Sequence, residues 1–476
     1  ALAVRAATSL RALDASNPAA ALVLIAQGFV QQDPASVLEL TAGNAPVHRL
    51  ISSLAVAWAH LAAGRMSDAE AAFDAVARIE GMRPFSVYCR ALARALVGDV
   101  EGAVALIEDP ADGVSQALNR RGYVAYALLL GQTERFDDAL ALIDDVFAGS
   151  IDPMLGRLRE AFEARRALPF DLIDSPTKGM AEVFSVMASA MEASENLHEA
   201  ILYAQAAVWL NPDLTDAQLL IGRIFESLSQ PEAAAAAYAR IPAQDVFGMA
   251  ASMGRAQVLE TLGQRSEAIA ILNDLATTNP RSFAALSVLG DFLRRDSQFA
   301  AADVAYSRAL GILDETGRAP EWQTLYARAI VRSRLNDWPA AEADFRAALA
   351  IQPDQPSLLN YLGYSLVERG ENLDEALEMI ERAVAGEPSS GYILDSLAWA
   401  LFRLGRYSEA LPHMERAVEL APTDAILNDH LGDVYWAVGR EREARFQWRR
   451  ALSESTGLGT WKSRYMVHSS TLPAVG

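Results

Sequence analysis

The chain has 476 residues, more than a single hydrophobic core accommodates, so several domains or an elongated repeat architecture is expected. Hydrophobic residues make up 51% and charged residues 21%, which excludes global disorder. With 41 basic and 61 acidic residues the formal charge is −20, a field that repels polyphosphate and excludes nucleic acid from the expected partners.

Aromatics amount to only 8%, so Ala and Leu carry much of the apolar content, and both favour helix. Residues 1–49 show helical periodicity without a fixed register. The richest apolar stretch, Ala19 to Val30, is interrupted by Gln27 and Gly28 and is too short to cross a membrane. Small residues then recur in sets: Ala57, Gly64, Ala69 with Phe73; Ala91, Gly98, Ala103 with Ile107; and Ala127, Ala139 with Ile143. They mark a diverged N-terminal helical block over 1–148. The single cysteine, Cys89, cannot form an internal disulfide and reads as a small buried hydrophobe. The period fails over 149–178, where Gly149-Ser150-Ile151-Asp152-Pro153 and Asp174-Ser175-Pro176-Thr177 are turn-rich. That stretch reads as an irregular insert or linker with one helix around Leu155 to Leu168.

From 179 to 454 the repetition is regular, with about eight units. It starts with Ala188, Ala200, Ala207 and Pro212, then Ile221-Gly222, Ala234 and Tyr238, then Ala256, Gly263, Ala268 and Pro280. Leu289-Gly290, Ala302, Tyr306 and Ala309 follow, and then Ala329, Ala341, Phe345, Ala348 and Pro353. The last three units are Leu362-Gly363 with Ala376, Ile380 and Pro388; Leu397-Ala398 with Ala410, Met414 and Pro422; and Leu431-Gly432 with Ala444, Trp448 and Ala451. These positions match the tetratricopeptide pattern W-x2-L-G-x2-Y, then A-x3-F, then P, and the sequence resembles that family. The resemblance implies an all-α fold, a TPR α-solenoid in which helical hairpins wind into a right-handed superhelix. Each unit is two antiparallel helices; small residues let them approach, and Pro ends the second one. One hairpin cannot bury its apolar face, so neighbours stack into a continuous core. Residues 455–476 have no period and read as an irregular tail, with Trp461 and Tyr465 as candidates to dock on the last hairpin.

Motifs for chemistry are missing. The sequence has no glycine-rich nucleotide cradle. His198-Glu199 opens like a zinc-protease motif, but Leu202 stands where the second His is required. The six histidines fall in different units, and Gly363-Tyr364-Ser365 lacks the second Gly of a nucleophile elbow. No enzyme activity, cofactor or metal is expected. Lys178 and Lys462 are the only lysines, so no polybasic membrane patch exists.

In a tetratricopeptide array the first helix of each hairpin lines the concave face. The resemblance therefore puts Asn360, Tyr361 and Tyr364, then Asp395, Trp399, Phe402 and Arg403, then Asp429, His430, Asp433 and Trp436, in a partner-binding groove. The competing reading makes Trp399 and Trp436 filler between hairpins. Family members that clamp a terminal carboxylate use Lys and Asn at these places; here Asn360 alone fits, and Asp395 and Asp429 oppose an anionic end. A protein or peptide partner with basic and apolar side chains suits the set better.

The last units, Tyr392-Ile393-Leu394-Asp395-Ser396-Leu397-Ala398-Trp399 and Asn428-Asp429-His430-Leu431-Gly432-Asp433-Val434-Tyr435-Trp436, resemble long bacterial envelope TPR lipoproteins. That group includes adaptors that present substrates to a periplasmic carboxy-terminal processing protease. The resemblance implies a non-catalytic scaffold in the periplasm, with a lipid anchor upstream of residue 1. A structural subunit of an envelope or secretion assembly, the TPR region of a larger enzyme, and a cytoplasmic location are the alternatives.

Overall fold

The computed structural model describes residues 2–42, 49–109, 118–147 and 153–454. Among the described residues there are 26 helices and no strand. Contacts divide the chain into two compact units, Ala1–Leu275 and Ala276–Gly476. Trp461 and Tyr465 lie outside the described residues, as do residues 149–152 of the aperiodic stretch.

The first unit begins with α1 (Leu2–Leu13), α2 (Pro18–Val30), α3 (Pro34–Thr41), α4 (Arg49–Ala62), α5 (Met66–Ala77), α6 (Arg83–Leu96) and α7 (Val100–Glu108). It continues with α8 (Arg120–Gln132), α9 (Phe136–Val146), α10 (Pro153–Glu163), α11 (Pro176–Ala193), α12 (Leu197–Leu210), α13 (Thr215–Ser227), α14 (Pro231–Tyr238) and α15 (Gly248–Thr261). The helix α16 (Arg265–Thr278) contains the division between the units. The second unit holds α17 (Phe283–Arg295), α18 (Phe299–Glu315), α19 (Trp322–Arg334), α20 (Trp338–Ile351) and α21 (Pro356–Arg369). It ends with α22 (Leu373–Gly386), α23 (Gly391–Arg403), α24 (Tyr407–Leu420), α25 (Ala425–Ala437) and α26 (Glu441–Glu454).

The architecture is an α-solenoid of antiparallel hairpins. In the second unit α17 packs on α18, α19 on α20, α21 on α22, α23 on α24 and α25 on α26, and each hairpin packs on the next. Short polar residues start the helices: the Asp424 carboxylate accepts from the backbone N–H of Ile426 and Leu427, and Asp337 accepts from Ala340. Glycines at positive φ, Gly405 and Gly439, make the tight turns inside the last two hairpins. The marked small positions do what the spacing requires: a Cβ on Gly290 would collide with Tyr306, and one on Gly432 with Trp448.

The first unit departs from nearest-neighbour stacking. α11 packs on α12, as a hairpin partner, but also on α2, α4 and α6, and α12 touches α2. One apolar cluster accordingly runs from Ala21 to Ala217. Trp58 of α4 is fully buried, edge-on to Phe73 at 5.8 Å, and its ring covers Gly179 of α11. The helix found in the aperiodic stretch, α10, ends at Glu163 and buries Leu155, Leu158 and Phe162 in the same cluster. An ion pair seals the closure: the Arg121 guanidinium of α8 donates through Nε to Glu182 of α11 at 2.6 Å and reaches Asp216 at 3.4 Å. Cys89 is buried, and burial followed by the nearby Glu182 charge pushes its thiol far up, so it stays protonated.

Candidate functional site

Three first helices of successive hairpins, α21, α23 and α25, carry the expected groove residues, and α21 packs on α23 and α23 on α25. The pairs Leu362-Gly363, Leu397-Ala398 and Leu431-Gly432 turn inward and are buried. Their orientation fixes which neighbours remain accessible.

Trp399 is the centre of the arrangement. Its ring stacks on Phe402 (centroids 5.0 Å apart, planes 9° apart) and on His430 of α25 (4.1 Å, 13°). Its Nε1 donates to Glu368 Oε1 of α21 at 2.6 Å, and Arg403 pairs with the same oxygen at 3.5 Å. Only 8% of Trp399 is exposed, so the ring fills the seam between three helices. Glu368 was not singled out by the repeat register; it follows Tyr364 by one helical turn, which is the signal that points to it.

His430 and Asp395 form the polar core of the stack. Nδ1 lies 2.8 Å from Asp395 Oδ1, and both side chains are buried. A carboxylate only accepts, so Nδ1 carries the proton. Burial alone would lower the imidazole pKa; the Asp395 carboxylate, helped by Asp429 and Asp433, outweighs it and holds the ring above its ordinary value. Asp429 is also buried.

The accessible part of the site is a cavity of about 250 Å³ lined by Asn360, Tyr361, Tyr364 and Asp395 together with Tyr392, Ser396, Asp424, Ile426 and Leu427. The Asn360 Oδ1 is buried there and has no hydrogen-bond partner. Tyr361 leans on Phe345 (5.1 Å) and meets Tyr326 edge-on (6.0 Å, 89°). Burial, then the charges of Glu368 and Asp395, push the Tyr364 phenol up to about 12, which keeps it a donor. Both tyrosines also line a neighbouring cavity of about 530 Å³ with Trp338 and Arg369.

Tyr392 and Ile426 were missed by the register reading. They are 62% and 50% exposed at the edge of the smaller cavity and occupy equivalent places in successive repeats, so the period itself contained the signal. Asp433 and Trp436 stand apart from the stack. Trp436 is half-buried against Trp448 (5.6 Å), whose Nε1 donates to Asp433 at 3.1 Å. The structure thus joins Asp395, Trp399, Phe402, Arg403 and His430 in one stack, groups Asn360, Tyr361 and Tyr364 with Asp395 around the cavity, and ties Asp433 and Trp436 to the last hairpin.

Models of the tetratricopeptide repeat match residues 326–392, 368–425 and 396–457, the stretch that builds this site. Residues 326–457 are a tetratricopeptide repeat array. The chain is 28% identical over 187 residues to the TPR repeat-containing protein PA4667 of Pseudomonas aeruginosa. That match spans 39% of this chain and 31% of the Pseudomonas protein. Among solved structures, a tetratricopeptide repeat protein from Parabacteroides merdae aligns with 53% of this chain and 98% of its own (TM-score 0.44, 16% identity). Yeast Tom70 aligns with 88% of this chain and 95% of its own (TM-score 0.38, 12% identity). TPR arrays are scaffolds for protein–protein interaction and in general are not catalytic. Among the described residues no helix is long and apolar enough to cross a membrane.

Proposed function

We propose that this protein is a non-catalytic adaptor that holds an extended partner segment with basic and apolar side chains on the face built by α21, α23 and α25. The observation that carries the reading is the Asn360 Oδ1, a buried acceptor with no partner inside the 250 Å³ cavity. It suits a donor from a peptide backbone or a basic side chain. Among the described lining residues Asp395 and Asp424 are the carboxyls and there is no Arg, Lys or His, so the site favours cationic residues. Tyr392 and Ile426 offer apolar contact beside it. Phe402, Arg403, Asp433 and Trp436 extend the face, while Trp399, Asp429 and His430 act from behind by fixing its shape.

The resemblance of the last units to envelope lipoproteins supports a finer reading, in which the partner segments belong to substrates presented to a periplasmic carboxy-terminal processing protease. The test has two arms. An extended Pro-containing peptide of Arg and Leu should bind the full chain, weaken as salt rises, and weaken about tenfold on Asn360→Ala, since the hydrogen bond that the Asn360 Oδ1 accepts from the peptide is lost. An Asp-for-Arg peptide binding equally well would refute the groove assignment. In the second arm, adding the chain to such a protease should accelerate cleavage of a bound substrate; an unchanged rate would refute the adaptor role while leaving the groove intact.

A further inference from the structure

We infer that the first unit holds a second binding site, one that takes an apolar helical peptide segment carrying a basic residue. The site is a cavity of about 660 Å³ lined by residues of α2, α4 and α6 on one side and α11 and α12 on the other. It shares no residue with the α21–α25 face and does not rest on the function proposed for it.

Protein interiors pack like organic crystals and leave few voids larger than a water molecule. An open apolar volume of this size is in the range of ligand sites, not of packing defects. Its walls include Met82, Met187 and Met191 with Phe85 and Tyr203. Unbranched thioethers adapt to the shape of an apolar partner, and grooves between helices accept the apolar face of another helix.

Tyr88 points to a ligand independently. It lines the cavity, is 4% exposed, and its hydroxyl is buried without a hydrogen-bond partner. Burial, then the nearby Glu182 charge, hold the phenol protonated, so it is a donor lacking an acceptor. A carbonyl of the incoming segment would satisfy it.

Charge selects the occupant. Glu199, exposed on α12, is the one Asp, Glu, Arg, Lys or His among the described lining residues. A fatty acid or phospholipid brings an anion and finds no cation among the described lining residues, whereas a Lys or Arg on a helical segment finds Glu199.

The probe is a fluorescein-labelled amphipathic peptide of Leu and Ala with one Lys beside its apolar face, titrated by anisotropy against the full chain. Its Lys-to-Glu counterpart is the control. The Lys peptide should bind, and the Glu peptide about tenfold more weakly. Ala190→Trp, which grows into the cavity from an exposed position of α11, should weaken binding at least about tenfold with helicity retained. Tyr88→Phe should weaken binding about threefold while leaving the melting temperature equal or higher, a pairing that a purely structural tyrosine would not give. Asn360→Ala should leave this binding unchanged. Equal binding of the two peptides, unchanged affinity in Ala190→Trp, displacement by palmitate, or self-association abolished by Ala190→Trp would each overturn the inference. Loss of binding in Asn360→Ala alone would place the probe on the α21–α25 face and overturn this site without touching the proposed function.

Discussion

The two units fill the same kind of space in different ways. In the second unit the ring that covers a helix-A glycine comes from the second helix of the same hairpin, as Tyr306 covers Gly290 and Trp448 covers Gly432. In the first unit Tyr238 covers Gly222 in the same way, but at two other glycines the cover comes from outside the hairpin: Phe162 of α10 lies over Gly131 of α8, and Trp58 of α4 over Gly179 of α11. Stacking with neighbours alone leaves one face of a solenoid open; folding α2, α4 and α6 onto α11 encloses it and leaves the 660 Å³ cavity. The lesson is that a repeat's period records contacts between adjacent hairpins and is silent about contacts that close a block on itself.

Buried ion pairs give the sharpest way to break this comparison. Glu182 in the first unit is 1% exposed and held by Arg121, so Arg121→Ala strands a buried carboxylate and should cost about 3–5 kcal/mol in urea unfolding. In the second unit Asp344 is held by two arginines, Arg328 at 2.8 and 2.7 Å and Arg332 at 2.9 Å. Arg332→Ala leaves the bidentate partner in place and should cost only about 1 kcal/mol. Equal losses would mean that the closure of the first unit is not sealed by Arg121.

Overpacking comes next. Gly179→Ala would drive its Cβ into the fully buried Trp58 ring and should lose about 3 kcal/mol; Gly290→Ala meets the equally buried Tyr306 ring at 2.6 Å, a smaller overlap, and should lose about 2 kcal/mol. Limited proteolysis should show the Gly179→Ala damage confined to the first unit.

A smaller effect distinguishes the second unit. His430 has its folded pKa raised, so its contribution to stability is complete below the unfolded value of about 6.5 and is lost as pH rises through the folded value. Thermal melts should therefore fall in going from pH 6 to pH 8 by an amount that Asp395→Asn removes. An unchanged pH slope in that variant would detach Asp395 from the titration.

The regular hairpins and the inward Leu-Gly pairs were legible because each is a local contact repeated at one spacing. The face on α21, α23 and α25 was legible to the level of which helices carry it. Two features were less so. Burial of Trp399 and His430 depends on a stack between adjacent hairpins, and the register cannot separate a ring that faces the groove from one that fills the seam. Tyr392 and Ile426 were overlooked because they stand a turn or more ahead of the pair that marks the repeat. In the first unit, Leu155, Leu158 and Phe162 of the aperiodic stretch serve a core shared with α4 and α8, and no spacing within that stretch announces it.

The most direct test of the account is a paired measurement on Tyr392→Ala/Ile426→Ala in the full chain, reading affinity for the extended Arg/Leu peptide beside the urea midpoint. Both side chains are largely exposed, so the midpoint should stay within about 0.5 kcal/mol of the parent. Affinity should fall about tenfold, because the apolar anchors of the cavity are gone. Undiminished affinity, or a loss that appears only with a matching loss of stability, would contradict a binding face built from the exposed residues of α23 and α25 on a buried support.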